Sequence, residues 1–203
     1  MDSTGDDPII VGKVQQGISA GLFEPAIHGW DHVDYTTLTE EQQKQTIKVA
    51  QEKMIFLFGN GSNVFIPPYD EFNLETIKAV REAGVHIISG RGDEGLGRSE
   101  FGDIIHIPQS IEFAIHEDRA AKKVPLTEIM AAVDNAIAAD GYAVIVLHPQ
   151  DFVVNFASGS DATNPRELQE LTSLIQMVKQ KQYKSVDFCH AAAIVKGEPI
   201  CSA

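Results

Sequence analysis

Two histidines four residues apart, His28 and His32 in "AIHGWDHVDY", are the residues of this chain whose spacing most directly implies chemistry. Imidazoles so spaced can converge on one point. Zinc takes nitrogen ligands, and catalytic zinc sites commonly use two His, one carboxylate and a water. Taken alone, the same pair also describes two hydrogen-bonding histidines in a loop. The nearest carboxylates are Asp31, which lies between the two and is expected to point away, and Asp34, a weak candidate to complete a shell. His148 ends the apolar run "YAVIVLH" and reads either as a general acid or as a core histidine satisfied by backbone. Asp151, three residues on, is positioned to orient that imidazole as a triad carboxylate would, or to sit solvated in a loop. Trp30 and Tyr69, the latter behind Pro67 and Pro68, offer aromatic faces for a sugar ring; ordinary packing is the competing account. His86, His106, His116 and His190 lie in or near β-like runs and read as packed or surface residues.

These residues need a scaffold, and the periodicity describes one. A strand over 22–28 leads into the His pair. Thr39 with Gln42 forms a capping box for a helix to about Phe58, with Ile47, Ala50, Met54 and Phe58 on one face. "NVFIPPY" (63–69) is a strand stopped by its prolines. Asn73 caps a second helix, with Leu74, Ile77 and Val80 inward and Gly84 as its stop. Strands are expected at 85–89, 103–108 and 111–116, around a Gly-rich loop at 90–103. A helix follows at 127–140 with Ile129, Val133 and Ile137 inward, then the strand 142–148. "NPRE" (164–167) opens a helix expected to bury Leu168, Leu171, Ile175 and Val178, and "YKSVDFC" (183–189) reads as the last strand. Alternating strands and helices predict a parallel α/β sheet or barrel in one domain spanning 1–203. Sites in such folds collect at the C-terminal strand ends, where His28, Pro67–Tyr69 and His148 all fall.

Composition narrows the partners. With 16 basic and 29 acidic residues the formal charge is −13, which argues against nucleic acid and anionic membrane and is compatible with neutral or cationic ligands such as sugars. No apolar run reaches the roughly 18 residues of a membrane span. No basic-then-apolar leader is visible at the N-terminus. Cys189 and Cys201 admit one bridge without requiring it, so the compartment stays open. The "RGD" triplet at 91–93 reads as coincidence within the Gly-rich loop.

"HGWDHVD", "FIPPY" and "VLHP", in that order and each at a strand end, resemble the motifs of the polysaccharide deacetylases of carbohydrate esterase family four. The likeness spans about residues 20 to 190. It implies a metal-dependent hydrolase that removes acetyl groups from an amino sugar or polysaccharide, on a distorted (β/α) barrel. It makes His28 and His32 ligands of a divalent metal, most readily zinc. It makes Pro67, Pro68 and Tyr69 a groove wall, and His148 the general acid. Trp30 joins the substrate-binding residues, and an acetylated oligo- or polysaccharide is the expected partner. The family is typically extracellular.

The chain departs from the family pattern at its start. The family has an early strand ending in two Asp, one a base and one a metal ligand. Here Asp6 and Asp7 follow no apolar strand, and only 20 residues separate Asp7 from His28. Ile66 also stands where the family often has Arg. The resulting expectation is a barrel incomplete at the N-terminus, whose open edge exposes apolar surface and invites a homo-oligomer. A non-catalytic saccharide-binding module is the alternative to an enzyme.

Overall fold

The computed structural model describes residues 7–91, 96, 101–117, 120–154, 162–197 and 201. Asp6, most of the Gly-rich loop with two residues of the RGD triplet, and residues 155–161 lie outside these. The chain forms two compact units: residues 1–108 with 187–203, and residues 109–186.

The first unit begins with a helix that the hydrophobic pattern did not announce. Helix α1 (Pro8–Ser19) starts where the Asp7 carboxylate accepts from the backbone N–H groups of Ile9 and Ile10 and Pro8 occupies the first turn. Asp7 is therefore a helix cap. Of the strand expected at 22–28, only a parallel bridge between Ile27 and Phe65 forms. Helix α2 (Glu40–Phe58) has the Thr39–Gln42 capping box and ends at Gly59, whose φ of 84° needs a residue without a side chain. Helix α3 (Leu74–Glu82) has its own box, made by Asn73 and Thr76.

Between and after these helices run β1 (Val64–Phe65), β2 (Ile87–Ile88) and β3 (Ile105–His106), a three-stranded parallel sheet in the order β1-β2-β3. The bridge at Ile27 adds a fourth line of chain beside β1. Each strand lies within its expected span, but the ladder is only two residues long. Phe65, Ile88, Ile47, Ile77, Val80 and Tyr35 fill the core beneath it. At about 25 cal/mol per Å² of apolar surface, each such side chain contributes roughly 1.5–3 kcal/mol.

The second unit holds β4 (Ile111–Glu112), an antiparallel hairpin of β5 (Ala114–Glu117) and β6 (Ala120–Lys123), helix α4 (Leu126–Asp140), β7 (Ile145–Val146) and helix α5 (Pro165–Gln180). β4 and β7 pair in parallel. Ile129, Met130 and Val133 of α4 pack with Phe113 and Leu174. The inward face of α5 is only partly as expected, with Val178 packed against this core. Leu174 is buried, while Leu168 and Ile175 are exposed. Leu74 of α3 is likewise exposed, leaving Ile77 and Val80 as the buried positions.

The strand expected at 183–189 does not form. Helix α6 (Phe188–Lys196), which belongs to the first unit, starts there instead, with Asp187 as its cap. The Glu24 carboxylate also accepts from the Phe188 backbone N–H at 2.9 Å. Cys189 and Cys201 are joined in a disulfide that ties the chain end to α6.

Candidate metal and saccharide site

The first unit brings three of the expected residues together. Gly29 follows His28 with a φ of 77°, and a Cβ there would meet the ring of the buried Tyr35 at 3.0 Å. This turn folds the chain back so that the ring centroids of His28 and His32 stand 5.0 Å apart, edge to face. The His28 Nδ1 lies 2.6 Å from the Ile66 carbonyl, which accepts only if Nδ1 carries the proton. That tautomer puts the ring's lone pair on Nε2. A backbone carbonyl behind one nitrogen is how proteins orient a metal-binding histidine. Ile66 therefore contributes through its carbonyl, at the place where the resemblance led one to look for an arginine side chain.

Tyr69 completes the group, its ring centroid 4.7 Å from that of His32. It is reached through a turn that ordinary residues avoid. Tyr69 and Asp70 have φ of 59° and 62°, a left-handed conformation costly for residues with side chains. The turn is held by Asp70 N–H donating to the Pro67 carbonyl and by Arg91 N–H donating to the Asp70 carbonyl at 2.7 Å. Pro67 and Pro68 are buried and act as the floor of this turn, while Tyr69 stays 56% exposed. Trp30 is also exposed, with Lys53 Nζ 5.5 Å from its ring centroid.

The His28 and His32 rings are in contact, and a third ligand beside them is a separate question. Among the described residues, no carboxylate, thiolate or further imidazole groups with both His28 and His32. Asp34 is committed elsewhere. Its Oδ1 accepts from the Thr36 N–H and hydroxyl, capping the short turn Tyr35–Thr37. Asp7 caps α1 as described above. Neither of the two carboxylate candidates read from the sequence joins the pair.

His148 belongs to the second unit, at the end of β7, and begins the turn Pro149–Phe152. Its neighbours differ from the expected arrangement. The Asp151 side chain is fully buried, and it accepts from the His148 backbone N–H at 3.0 Å and from His116 Nε2 at 2.8 Å. The carboxylate thus orients the ring of His116 and only the backbone of His148. The two imidazoles stand 5.1 Å apart, edge to face. The His148 Nδ1 is buried and without a hydrogen-bond partner. His116 carried no sequence signal beyond being a histidine near the end of a β-like run. Of the other histidines, His106 is packed, stacked on Phe101 and bonded to the Gly90 carbonyl through Nε2, and burial lowers its pKa.

Comparison with known proteins bears on this geometry. Residues 11–88 match the profile of the family described as Polysaccharide deacetylase. No curated protein matches the chain. Among solved structures, a variant of a Bacillus anthracis family-four pseudoenzyme with restored enzymatic activity superposes with a TM-score of 0.57 at 13% identity. That alignment covers 94% of this chain and 54% of the other, so the present chain spans about half the length of that relative. A Mycobacterium smegmatis protein classed as a polysaccharide deacetylase gives a TM-score of 0.64 at 17% identity, covering 96% of this chain and 71% of that one. A Clostridium thermocellum family-four acetyl xylan esterase, solved with a cobalt ion, gives 0.60 at 15%, covering 95% and 74%. At such identities these likenesses establish the fold. The chain therefore carries a polysaccharide deacetylase family match over residues 11–88, on an α/β fold of the kind found in family-four carbohydrate esterases.

Proposed function

We propose that this chain is a metal-dependent carbohydrate deacetylase domain, removing acetyl groups from an acetylated oligo- or polysaccharide. The parallel sheet of the first unit is read as part of a deacetylase-type barrel. The observation that carries the proposal is the meeting of His28, His32 and Tyr69, with a backbone carbonyl fixing the His28 tautomer. His28 and His32 would hold the ion, for which zinc suits two imidazoles best. A bound divalent ion supplies an activated water and polarises the acetyl carbonyl. The exposed Tyr69 and Trp30 rings offer apolar faces to a pyranose, and Pro68 keeps Tyr69 in place. His148 is assigned the proton that the departing amine or alcohol requires.

The absence of a third ligand among the described residues favours a second reading, in which the chain binds saccharide without hydrolysing it. Acetate release separates the two. With added zinc or cobalt, acetate should appear from N-acetylchitooligosaccharides or acetylated xylan, and His28→Ala with His32→Ala should abolish it together with metal uptake at that pair. Saccharide binding with no acetate from either substrate would establish the second reading and discard the first. Self-association through exposed apolar surface of the first unit is proposed as a property of either.

A further inference from the structure

We infer that the second unit carries a divalent-metal site of its own, formed by His116, His148 and Asp151. Each residue offers one ligand atom, and the three atoms lie within 4.8 Å of one another. Two imidazoles and a carboxylate form one of the recurrent protein ligand sets for zinc, with a water in the fourth position. Three observations set this cluster apart from a chance meeting of polar side chains.

The Asp151 carboxylate is fully buried, and a buried carboxylate is stable only when cations or hydrogen-bond donors surround it. Its observed donors are one imidazole and one backbone N–H. The nearest fixed cation, Lys123, sends its ammonium to the Asp151 backbone carbonyl at 3.0 Å and to Glu167 at 3.2 Å, so its charge is shared with another carboxylate. Next, the buried His148 Nδ1 has no partner, which is costly for a ring nitrogen and is relieved when its lone pair ligates an ion. Finally, the backbone positions the group with little freedom. The turn Pro149–Phe152 fixes Asp151 three residues after His148, and β5 delivers His116 beside both.

An ion in this cluster holds His148 as a ligand, and a ligated imidazole does not donate a proton. Ion binding here and proton donation by His148 therefore exclude one another, although the cluster itself rests on no assumption about catalysis. Its nearest polar neighbours suit a borderline cation with nitrogen and oxygen ligands better than calcium or magnesium, which prefer oxygen alone.

Zinc itself is the probe. The full chain, stripped with chelator, is dialysed against zinc, and bound metal is counted per chain. His28→Ala with His32→Ala removes the first-unit pair, and that double variant should retain one zinc. Adding His116→Gln to it should lower the bound metal to none, with the far-ultraviolet circular dichroism of the parent retained. His148→Gln, made in the same background, should do the same. A tetrahedral visible spectrum with cobalt in place of zinc should appear in the double variant and vanish in either triple variant. If the double variant binds no zinc, or keeps its zinc after both His116→Gln and His148→Gln, the inference is wrong. Failure of acetate release would leave these counts untouched, so the second-unit site stands or falls on its own, whereas zinc found there would remove His148 from its proposed role as proton donor.

Discussion

At the residue scale, the chemistry depends on which nitrogen of each imidazole is committed. His28 and His106 are both fixed by backbone carbonyls, from Ile66 and Gly90, yet their surroundings differ. His28 is exposed near a second imidazole, whereas His106 is half-buried between Phe72 and Phe101. Burial disfavours the charged ring of His106 and takes its pKa below the ordinary 6.5, only partly opposed by the Gly90 carbonyl. The unfolded chain therefore takes up a proton near pH 6.5 that the folded chain refuses until lower pH. This contribution to stability is complete above pH 6.5 and is lost as pH falls through the lowered value. Glu24 works in the opposite direction. Burial raises its pKa, so its contribution is greatest below the usual carboxylate value and declines as pH rises. His106→Gln keeps a donor for the Gly90 carbonyl and removes the titration. Urea unfolding at pH 7.5 and at 5.5 should show a smaller pH difference for the variant than for the parent. Equal differences would show that the ring does not carry the effect.

At the scale of elements, local signals were legible and distant ones were not. The capping boxes of α2 and α3 are each written within four residues, and both helices begin where those residues place them. Helix α1 uses the same grammar, Asp7 then Pro8, that marked Asn164 and Pro165 at α5; comparison with the family's early Asp pair drew attention from that local signal. Helix α6 was misread because "YKSVDFC" is rich in β-formers, while its start is set by Asp187 and by Glu24 from the other end of the chain. The candidate sites divide in the same way. His28 and His32 sit four residues apart and were visible; His116 and Asp151, 35 residues apart, meet only through the fold. The turn that presents Tyr69 depends on such a remote contact. A Cβ on Gly90 would come 2.7 Å from the Asp70 carbonyl and 2.8 Å from Pro67 Cγ. Gly90→Ala should therefore cost about 1–3 kcal/mol, as overpacking against backbone does, and should weaken saccharide binding by moving Tyr69. Gly12→Ala is the control, because nothing lies within 4 Å of its Cβ, and in α1 it should add about 0.5–1 kcal/mol. Equal stability of the two variants in chemical denaturation would show that Gly90 is not holding the turn.

At the scale of the whole molecule, charge and apolar exposure oppose each other. The chain carries a formal charge of −13, which repels a second copy over a distance of about one Debye length, roughly 8 Å at physiological salt. The first unit meanwhile exposes large apolar side chains, with Phe56 of α2 at 86% and Leu22 at 76%, and Ile55 and Phe23 at about half. Helix α1 lies against the end of α2 through a bond from the Gln15 amide to the Leu57 carbonyl, and a Cβ on Gly17 would strike the Phe23 ring. These contacts gather the exposed residues around one end of the unit rather than scattering them. Apolar exposure of this kind favours association, and the charge opposes it with a strength that salt reduces. Sedimentation velocity should then show self-association that strengthens from low salt to about 0.5 M, as screening removes the repulsion and leaves the apolar term. Phe56→Ser should weaken association at every salt concentration while leaving the zinc count unchanged, because Phe56 is a ligand candidate at neither site and its side chain is exposed. A monomer at all salt concentrations would mean that these side chains are merely solvated, and would remove self-association from the proposed properties of the chain.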